Sequence, residues 1–574
     1  MSDENRVALS PSVRTPLGRV IAVSGSQATA QFPITTAMSE SGEFAFSVGS
    51  LVGIENGAAL AIGALCDITL QVAGTGEAAS SAIGRIDLLG QISAETRFQS
   101  GVAVYPKIGS AVVSIGTDDL KTIFDLASPS TVELGRLQQD ASIAATVNVD
   151  ETVRKHFAIF GSTGSGKSSA LALILRKIMQ ARSDLRILLI DAHNEYTECF
   201  DGRAHVFGPQ NLNLPFWLFN FEELVQIVFG SRSGAEREIS LLADLIPLAK
   251  TECARASGML RASYRAQQTD NASRFTADTP APYRLEDVVA AAESRMGKLE
   301  NRDLAVAYQR LVMRINAARR NPRYAFIFES AADAGDPMVE ILCQLLRLKD
   351  HDQPMAIVQL AGFPAETTEV IVSVLFRLAF EFGVWSDGLS PVLIVCEEAQ
   401  SYANADRDLG FRVAREGLSR IAVEGRKHGV FLGLITQRPH QLDPTLISQC
   451  STVFAMRLGH EEDQKIIRAA VSDSASRLLA FLPSLGTREA LVIGAGVPTV
   501  TRLRFEALPE RSIPRSQAEW SGDLNRADTV DDRTIGEIVA RWRGTAPSTK
   551  PVAAPPLADL NAGDLVGWSA PSHR

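Results

Sequence analysis

The sequence predicts a small β-barrel followed by an α/β domain with a parallel sheet. Three observations carry this: paired β runs around turn residues, a later alternation of buried strands with amphipathic helices, and one gap too long for a single crossover. In the first region, Arg19–Val23 and Ala28–Phe32 flank Gly25-Ser26, while Leu51–Glu55 and Ala58–Leu65 flank Asn56-Gly57. Asn-Gly between apolar runs marks a hairpin whose two turn residues take positive φ. Runs at Ile68–Val72, Ile83–Leu89 and Ala111–Ile115, with a bend at Pro106 and Gly109, complete a barrel over residues 15–130; a β-sandwich is the alternative.

Beyond Arg154 the candidate strands are Phe157–Phe160, Ile187–Asp191, Met355–Leu360, Leu393–Cys396, Phe431–Thr436, Val453–Leu458 and Ala490–Ile493. They assign residues 131–218 and 351–508 to one core. The stretch between Asp191 and Met355 far exceeds the dozen or so residues a crossover needs. Glu222–Phe229, Ala235–Lys250, Leu285–Lys298 and Leu304–Ala318 carry helical apolar spacing, so residues 219–350 are expected to be a helical insertion. Residues 1–14 read as a flexible N-terminus. Residues 509–574 read as an extension and flexible tail, Ala/Pro-rich from Pro547 to Pro556 and closing on a patch from Leu557 to Trp568.

A length of 574 residues suggests two to four domains, and 45% hydrophobic with 21% charged residues argues against wholesale disorder. No run of 18 apolar residues occurs, since Val370–Trp385 is broken by Arg377 and Glu381, so no membrane span is expected. MSDENRVALS lacks the basic flank and apolar stretch of a secretory signal, which makes the cytoplasm the expected location. The six cysteines form no CxxC pair, so neither disulfides nor zinc is indicated. With 57 Lys plus Arg against 66 Asp plus Glu the chain carries a formal charge of -9, so any nucleic-acid contact must come from a local basic surface.

The sharpest motif is Gly161-Ser162-Thr163-Gly164-Ser165-Gly166-Lys167-Ser168, running into Ser169, between an apolar strand and an apolar helix. Glycines let backbone N–H groups face phosphates, Lys167 reaches the β and γ oxygens, and the Ser168 hydroxyl serves magnesium. This is a P-loop, and it predicts a P-loop NTPase core with a RecA-like sheet that uses ATP and Mg2+. Such a site needs a further acid for the metal and a base for water at another strand tip. Val392-Leu-Ile-Val-Cys396-Glu397-Glu398-Ala-Gln400 supplies both: Glu397 for the magnesium shell and Glu398 for the attacking water. Gln437, closing the strand Phe431–Thr436, is either a γ-phosphate sensor or a strand cap. Arg426, in the turn Glu424–Gly429, is either an arginine finger entering a neighbouring subunit or part of a solvated basic turn. Asp191, His193 and Glu195 follow the second strand, and His193 is either coupled to nucleotide or DNA or a structural histidine in a hydrogen-bonded turn. Histidine spacing suits no transition metal, which leaves magnesium as the expected ion.

The order GSTGSGKS, LLIDAHNEY, LIVCEEAQ, EGRKHG, ITQRP and REALVIG resembles the HerA branch of the HerA/FtsK ring ATPases over roughly residues 15–508. The resemblance implies a homohexameric ATPase that translocates double-stranded DNA and works with a separately encoded nuclease or sirtuin-like effector, in DNA end processing or anti-phage defence. It also implies that Lys167, Ser168, Glu397, Glu398, Arg426 and Gln437 carry the roles given above. Two positions depart from the family pattern: DAHNEY lacks the usual glycine after histidine, and Gln400 stands where histidine is common. Candidate DNA contacts are Arg407, Arg412 and Arg415, with Arg319, Arg320 and Arg323; no aromatic residues interleave with them, which favours duplex over single strands. The rival expectation is a nucleotide-dependent ring scaffold that activates a partner without travel along DNA.

Overall fold

The computed structural model describes residues 14–33, 47–57, 59–71, 81–93, 96–126, 128–230, 233–257, 275–297, 302–329, 336–406, 412–470 and 477–515, with short pieces at 535–536 and 539–540. The expectations for residues 1–13, Arg407, Pro547–Pro556 and Leu557–Trp568 lie outside the described residues.

Alternating small and branched residues near the start build β1 (Pro16–Ser24), β2 (Gln27–Pro33), β3 (Leu51–Asn56), β4 (Ala59–Gln71), β5 (Ser81–Ser93), β6 (Thr96–Ser100) and β7 (Ala111–Ser114). Their order is β2-β1-β7-β3-β4-β5-β6, and β2 also pairs with β5, which closes six strands into a barrel. The two runs expected at Ala58–Leu65 and Ile68–Val72 are one strand, β4. It bends through register shifts at Ile62/Gly63 and Leu65/Asp67, so its polar break at Cys66-Asp67 is a bulge and no turn. The β3–β4 turn also differs from expectation: Asn56 pairs with Ala59 as the last strand residue, and of the Asn56-Gly57 pair Gly57 alone is left-handed, at φ +66. The Asn56 amide instead donates to the Val104 carbonyl at 2.6 Å.

The second sheet has eleven strands among the described residues: β8 (Thr131–Leu137), β9 (Ala144–Asn148), β10 (Phe157–Phe160), β11 (Arg186–Asp191), β12 (Ala204–Phe207), β13 (Met355–Gln359), β14 (Val392–Cys396), β15 (Val430–Thr436), β16 (Thr452–Ala455), β17 (Glu489–Gly494) and β18 (Thr501–Phe505). Their order is β12-β13-β11-β14-β15-β10-β16-β17-β18-β8-β9. From β12 to β16 all pairings are parallel. β17, β18, β8 and β9 continue the sheet antiparallel. The strand at Ala490–Ile493, expected within a parallel sheet, is therefore the first antiparallel one. The short β12 also falls inside the long gap, pairing with β13 at the edge.

Parallel strands read as unbroken apolar runs because both faces are covered. Ala158 and Phe160, Leu188 and Ile190, and Val392, Ile394 and Cys396 enter one core; Phe157 and Ile159, Ile187 and Leu189, and Leu393 and Val395 enter the other. The second core holds α1 (Lys167–Ala181) and the barrel residues Leu51, Leu60 and Ile62. The first holds the helices between β12 and β14: α2 (Phe221–Phe229), α3 (Glu236–Ala256), α4 (Leu285–Met296), α5 (Arg302–Arg320), α6 (Met338–Leu345) and α7 (Ala365–Trp385). On α2, Asn220 and Glu223 cap the first turn reciprocally, each accepting from the other's backbone N–H at 2.8 Å. The same buried Glu223 carboxylate accepts from Arg377 of α7 at 2.8 Å and from Ser373 at 2.8 Å. Arg377, which breaks the apolar run in the sequence, is thus the buried partner of an acid on another helix. No helix among the described residues is long and apolar enough to cross a membrane.

Candidate functional site

Every parallel strand delivers its last residue to one edge of the sheet, and there the candidate residues meet. β10 ends at Phe160, and the loop from Gly161 leads into α1, whose cap is Gly166 at φ +98. Gly164 is also left-handed, at φ +74. These conformations favour glycine and leave the first N–H groups of α1 without intrahelical partners, so they converge with the helix dipole on one spot. At Gly161 a Cβ would lie 2.7 Å from Ser165 Oγ and 2.9 Å from Met456 Cβ, so any side chain there would displace the loop. The loop is braced by Ser165 Oγ donating to the Ser162 carbonyl at 2.7 Å and by Ser162 N–H donating to Arg457 O at 2.8 Å. Lys167 lies over it, its ammonium 3.4 Å from the Ser162 carbonyl. Burial pushes that ammonium's pKa down, against the pull of Glu398, Glu397 and Glu195.

β14, two strands away, supplies the acids. Glu397 is buried; its carboxylate accepts from Ala192 N–H at 3.2 Å and from the Tyr196 hydroxyl at 3.0 Å. Tyr196 is completely buried, and its hydroxyl serves that acid from the turn after β11. Desolvation first, and then the charges of Asp191 and Glu195, push the Glu397 carboxyl far above the usual range. A cation placed beside these acids would relieve that cost. Glu398 adopts the left-handed region at φ +48, which turns its carboxylate out of the strand. Gln400 Nε2 donates to it at 2.5 Å, Thr436 Oγ1 donates to Gln400 Oε1 at 2.6 Å, and Arg438 N–H donates to Thr436 Oγ1 at 2.9 Å. Next to Thr436, Gln437 Oε1 accepts from Thr163 of the loop at 2.7 Å. The turn after β15 thus touches both the Glu398 carboxylate, through Gln400, and the phosphate loop.

Asp191 holds the turn between β11 and Tyr196, accepting from Glu195 N–H at 3.1 Å and Tyr196 N–H at 3.2 Å. His193 lies in the turn that these bonds hold, half-exposed, with Nε2 4.0 Å from Glu398. Arg426 is not brought to this edge. It lies at the opposite end of the sheet, donating to the carbonyls of Lys155, at 3.0 Å, and Gln449. The candidate DNA-contacting arginines are mostly paired: Arg412 with Glu222 at 3.0 Å, Arg319 with Glu286, and Arg323 with Glu366 at 3.4 Å. Sequence reasoning passed over Tyr196 and Thr436, although both sit inside quoted motifs, and it noted Gln400 only as a departure. Their roles depend on side chains that meet across strands, which no linear spacing reveals.

The donor set suits a nucleoside triphosphate with Mg2+. Lys167 and the N–H groups of Gly164 to Ser169 would hold the phosphates, and Ser168 with Glu397 would face the metal shell. Residues 132–379 match the family model described as "Helicase HerA, central domain". A probable helicase of Methanocaldococcus jannaschii is 26% identical over 404 residues, covering 69% of this chain and 74% of that one. The DNA double-strand break repair helicase HerA of Pyrococcus furiosus is 22% identical over 468 residues, covering 77% and 80%. Among solved structures, VirB4 of Thermoanaerobacter pseudethanolicus aligns with a TM-score of 0.43 at 15% identity, over 67% of this chain and 99% of that one. With the phosphate loop and the paired acids, the chain is an ATPase that uses ATP and Mg2+, and its sequence is similar to the HerA-type helicases.

Proposed function

We propose that the protein is a homohexameric motor that moves double-stranded DNA by ATP hydrolysis and hands it to a separately encoded nuclease or sirtuin-like effector, in end processing or anti-phage defence. The observation that carries this reading is the chain of contacts Glu398–Gln400–Thr436 beside Gln437–Thr163, which joins an acid, a strand-end amide and the phosphate loop. In it, Glu398 is the base that orients and deprotonates water, and Lys167 and Ser168 hold the phosphate and metal ends of the nucleotide. Gln437 reports the state of the γ-phosphate position to the loop through Thr163. Mg2+ supplies charge neutralisation at the phosphates. We assign these parts to a barrel over 15–130, a core over 131–218 and 351–508, and an insertion over 219–350. The hexamer is supported by Trp385 and Leu389, exposed at 86% and 87%. Gly388, beside Leu389, packs on His428 of the Arg426 turn. Large apolar side chains left open beside a basic turn suit a protomer–protomer contact.

A second reading, a nucleotide-driven ring scaffold without travel along DNA, is favoured by one observation: Arg412, Arg319 and Arg323 are engaged by acids of the same chain. Steady-state ATPase with and without linear duplex separates the two. A motor is stimulated by duplex, and the stimulation falls steeply between low and moderate salt as phosphate contacts are screened. A scaffold turns over at the same rate with and without DNA. In the same assay Glu398→Gln retains nucleotide binding and loses turnover; normal hydrolysis by that variant refutes the proposed base.

A further inference from the structure

Arg488 is a further arginine that the fold lays against the phosphate loop, with its backbone bonded to Ser165 and its side chain beside Gly166. It stands just before β17, where the antiparallel half of the sheet reaches the site. Its N–H donates to the Ser165 carbonyl at 2.9 Å, and its own carbonyl accepts from Phe505 N–H at 2.8 Å. Those two bonds clamp its backbone in the left-handed region at φ +64, a conformation that costs an L-residue energy and that glycine adopts freely. Its side chain runs along the N-terminus of α1, with Cγ 3.4 Å from the position a Cβ on Gly166 would occupy. Among the described residues its guanidinium makes neither a hydrogen bond nor an ion pair. A partly buried arginine, held in a strained backbone beside a converging set of N–H groups and left without an anion, is poised for one. Strain of this kind persists where the surroundings enforce it, and it gathers at functional sites. Glu398 and Asn194, left-handed at the same edge, show the same pattern.

We propose that Arg488 is a nucleotide-binding residue acting within its own subunit, where its guanidinium engages the phosphates of a nucleoside di- or triphosphate seated on the Gly161–Ser169 loop. The inference rests on the nucleotide reading of that loop and adds to it a contact from the antiparallel half of the sheet. Filling the site would then pull on β17 and, through Phe505, on β18.

The test titrates full-length protein with a fluorescent ADP in Mg2+ buffer and records the melting temperature of each variant without nucleotide. Arg488→Ala is expected to weaken ADP binding roughly 10- to 100-fold, as loss of a charge-assisted hydrogen bond does, and Arg488→Lys is expected to retain an intermediate affinity. Arg488→Gly should weaken binding as much as alanine does while melting higher than wild type, because glycine relieves the φ +64 backbone. A merely structural arginine would give lower melting and unchanged affinity in both. ADP affinities within twofold of wild type for the alanine and glycine variants, in a protein whose Lys167→Ala variant no longer binds, overturn the inference and leave the loop reading intact. If wild type itself fails to bind ADP, both fall. A loss of assembly without loss of ADP affinity assigns the guanidinium to a neighbouring protomer and also overturns it.

Discussion

His156 is fully buried one residue before β10, left-handed at φ +58, and both ring nitrogens are used. Nδ1 accepts from Leu432 N–H at 3.0 Å, which leaves Nε2–H to donate to the Ala422 carbonyl at 3.1 Å. A neutral ring satisfies both bonds, and a proton on Nδ1 would break one of them. Burial first, then the nearby Arg426 charge, lowers the ring's pKa from 6.5 to about 4. The unfolded chain therefore binds a proton between pH 6.5 and 4 that the folded chain refuses, so stability falls as pH drops through that window. The slope is at most about 1.4 kcal/mol per pH unit. Urea midpoints from pH 7 to 5 are expected to decline in wild type and to decline less in His156→Gln, which removes the titrating group; equal slopes would show that other groups carry the effect. None of this is legible along the chain, because the partners of His156 are backbone atoms on distant elements. The buried thiols are held protonated in the same way: burial pushes Cys199 and Cys450 up to about 12. The phosphate loop and the acid pair were legible for the opposite reason. Their chemistry is local, each supplied by its own short turn at the end of a strand.

Elements were legible where packing repeats along the chain. The buried parallel strands and the amphipathic helices α2 to α5 follow from apolar period alone. β8, β9, β12 and β18 escaped because they lie at or near the sheet edges, where exposed positions interleave and the apolar signal thins; the burial of β12 is only partial. Arg377 shows the limit from inside a helix. In the sequence it interrupts the apolar run of α7, whereas in the fold it binds Glu223 through two nitrogens and donates to Leu218 O at 2.6 Å. Glu223 has no exposed side-chain surface, and that of Arg377 is 14% exposed. Removing one member of such a pair strands the other charge away from water. Arg377→Leu is accordingly expected to cost about 3–5 kcal/mol, read from denaturant unfolding. The double variant Arg377→Leu with Glu223→Gln is expected to recover a large part of it, since no buried charge is left alone; a single-variant cost under about 1 kcal/mol would mean that water reaches the pair.

At the scale of the whole molecule, the sheet itself separates the proposed finger from its own phosphate loop. Lys155, to which Arg426 donates, precedes β10, and the loop follows β10. A four-residue strand therefore puts roughly 13 Å between them. If Arg426 acts on phosphate at all, it acts on another protomer's, and the two halves of one site then reside in different subunits. Rings of Arg426→Ala keep intact loops with no finger, and rings of Lys167→Ala keep fingers with no competent loop; each alone is expected to show no hydrolysis. Mixed before assembly, they form interfaces that join an intact loop to an intact Arg426. In a random one-to-one ring, roughly a quarter of the interfaces are of that kind. ATPase activity measured across mixing ratios should therefore rise from zero at both ends to a maximum near equal amounts. A flat zero at every ratio, with assembly verified by size, removes Arg426 from the catalytic set and returns it to the role its bonds already show, closing the amino ends of β10 and β16.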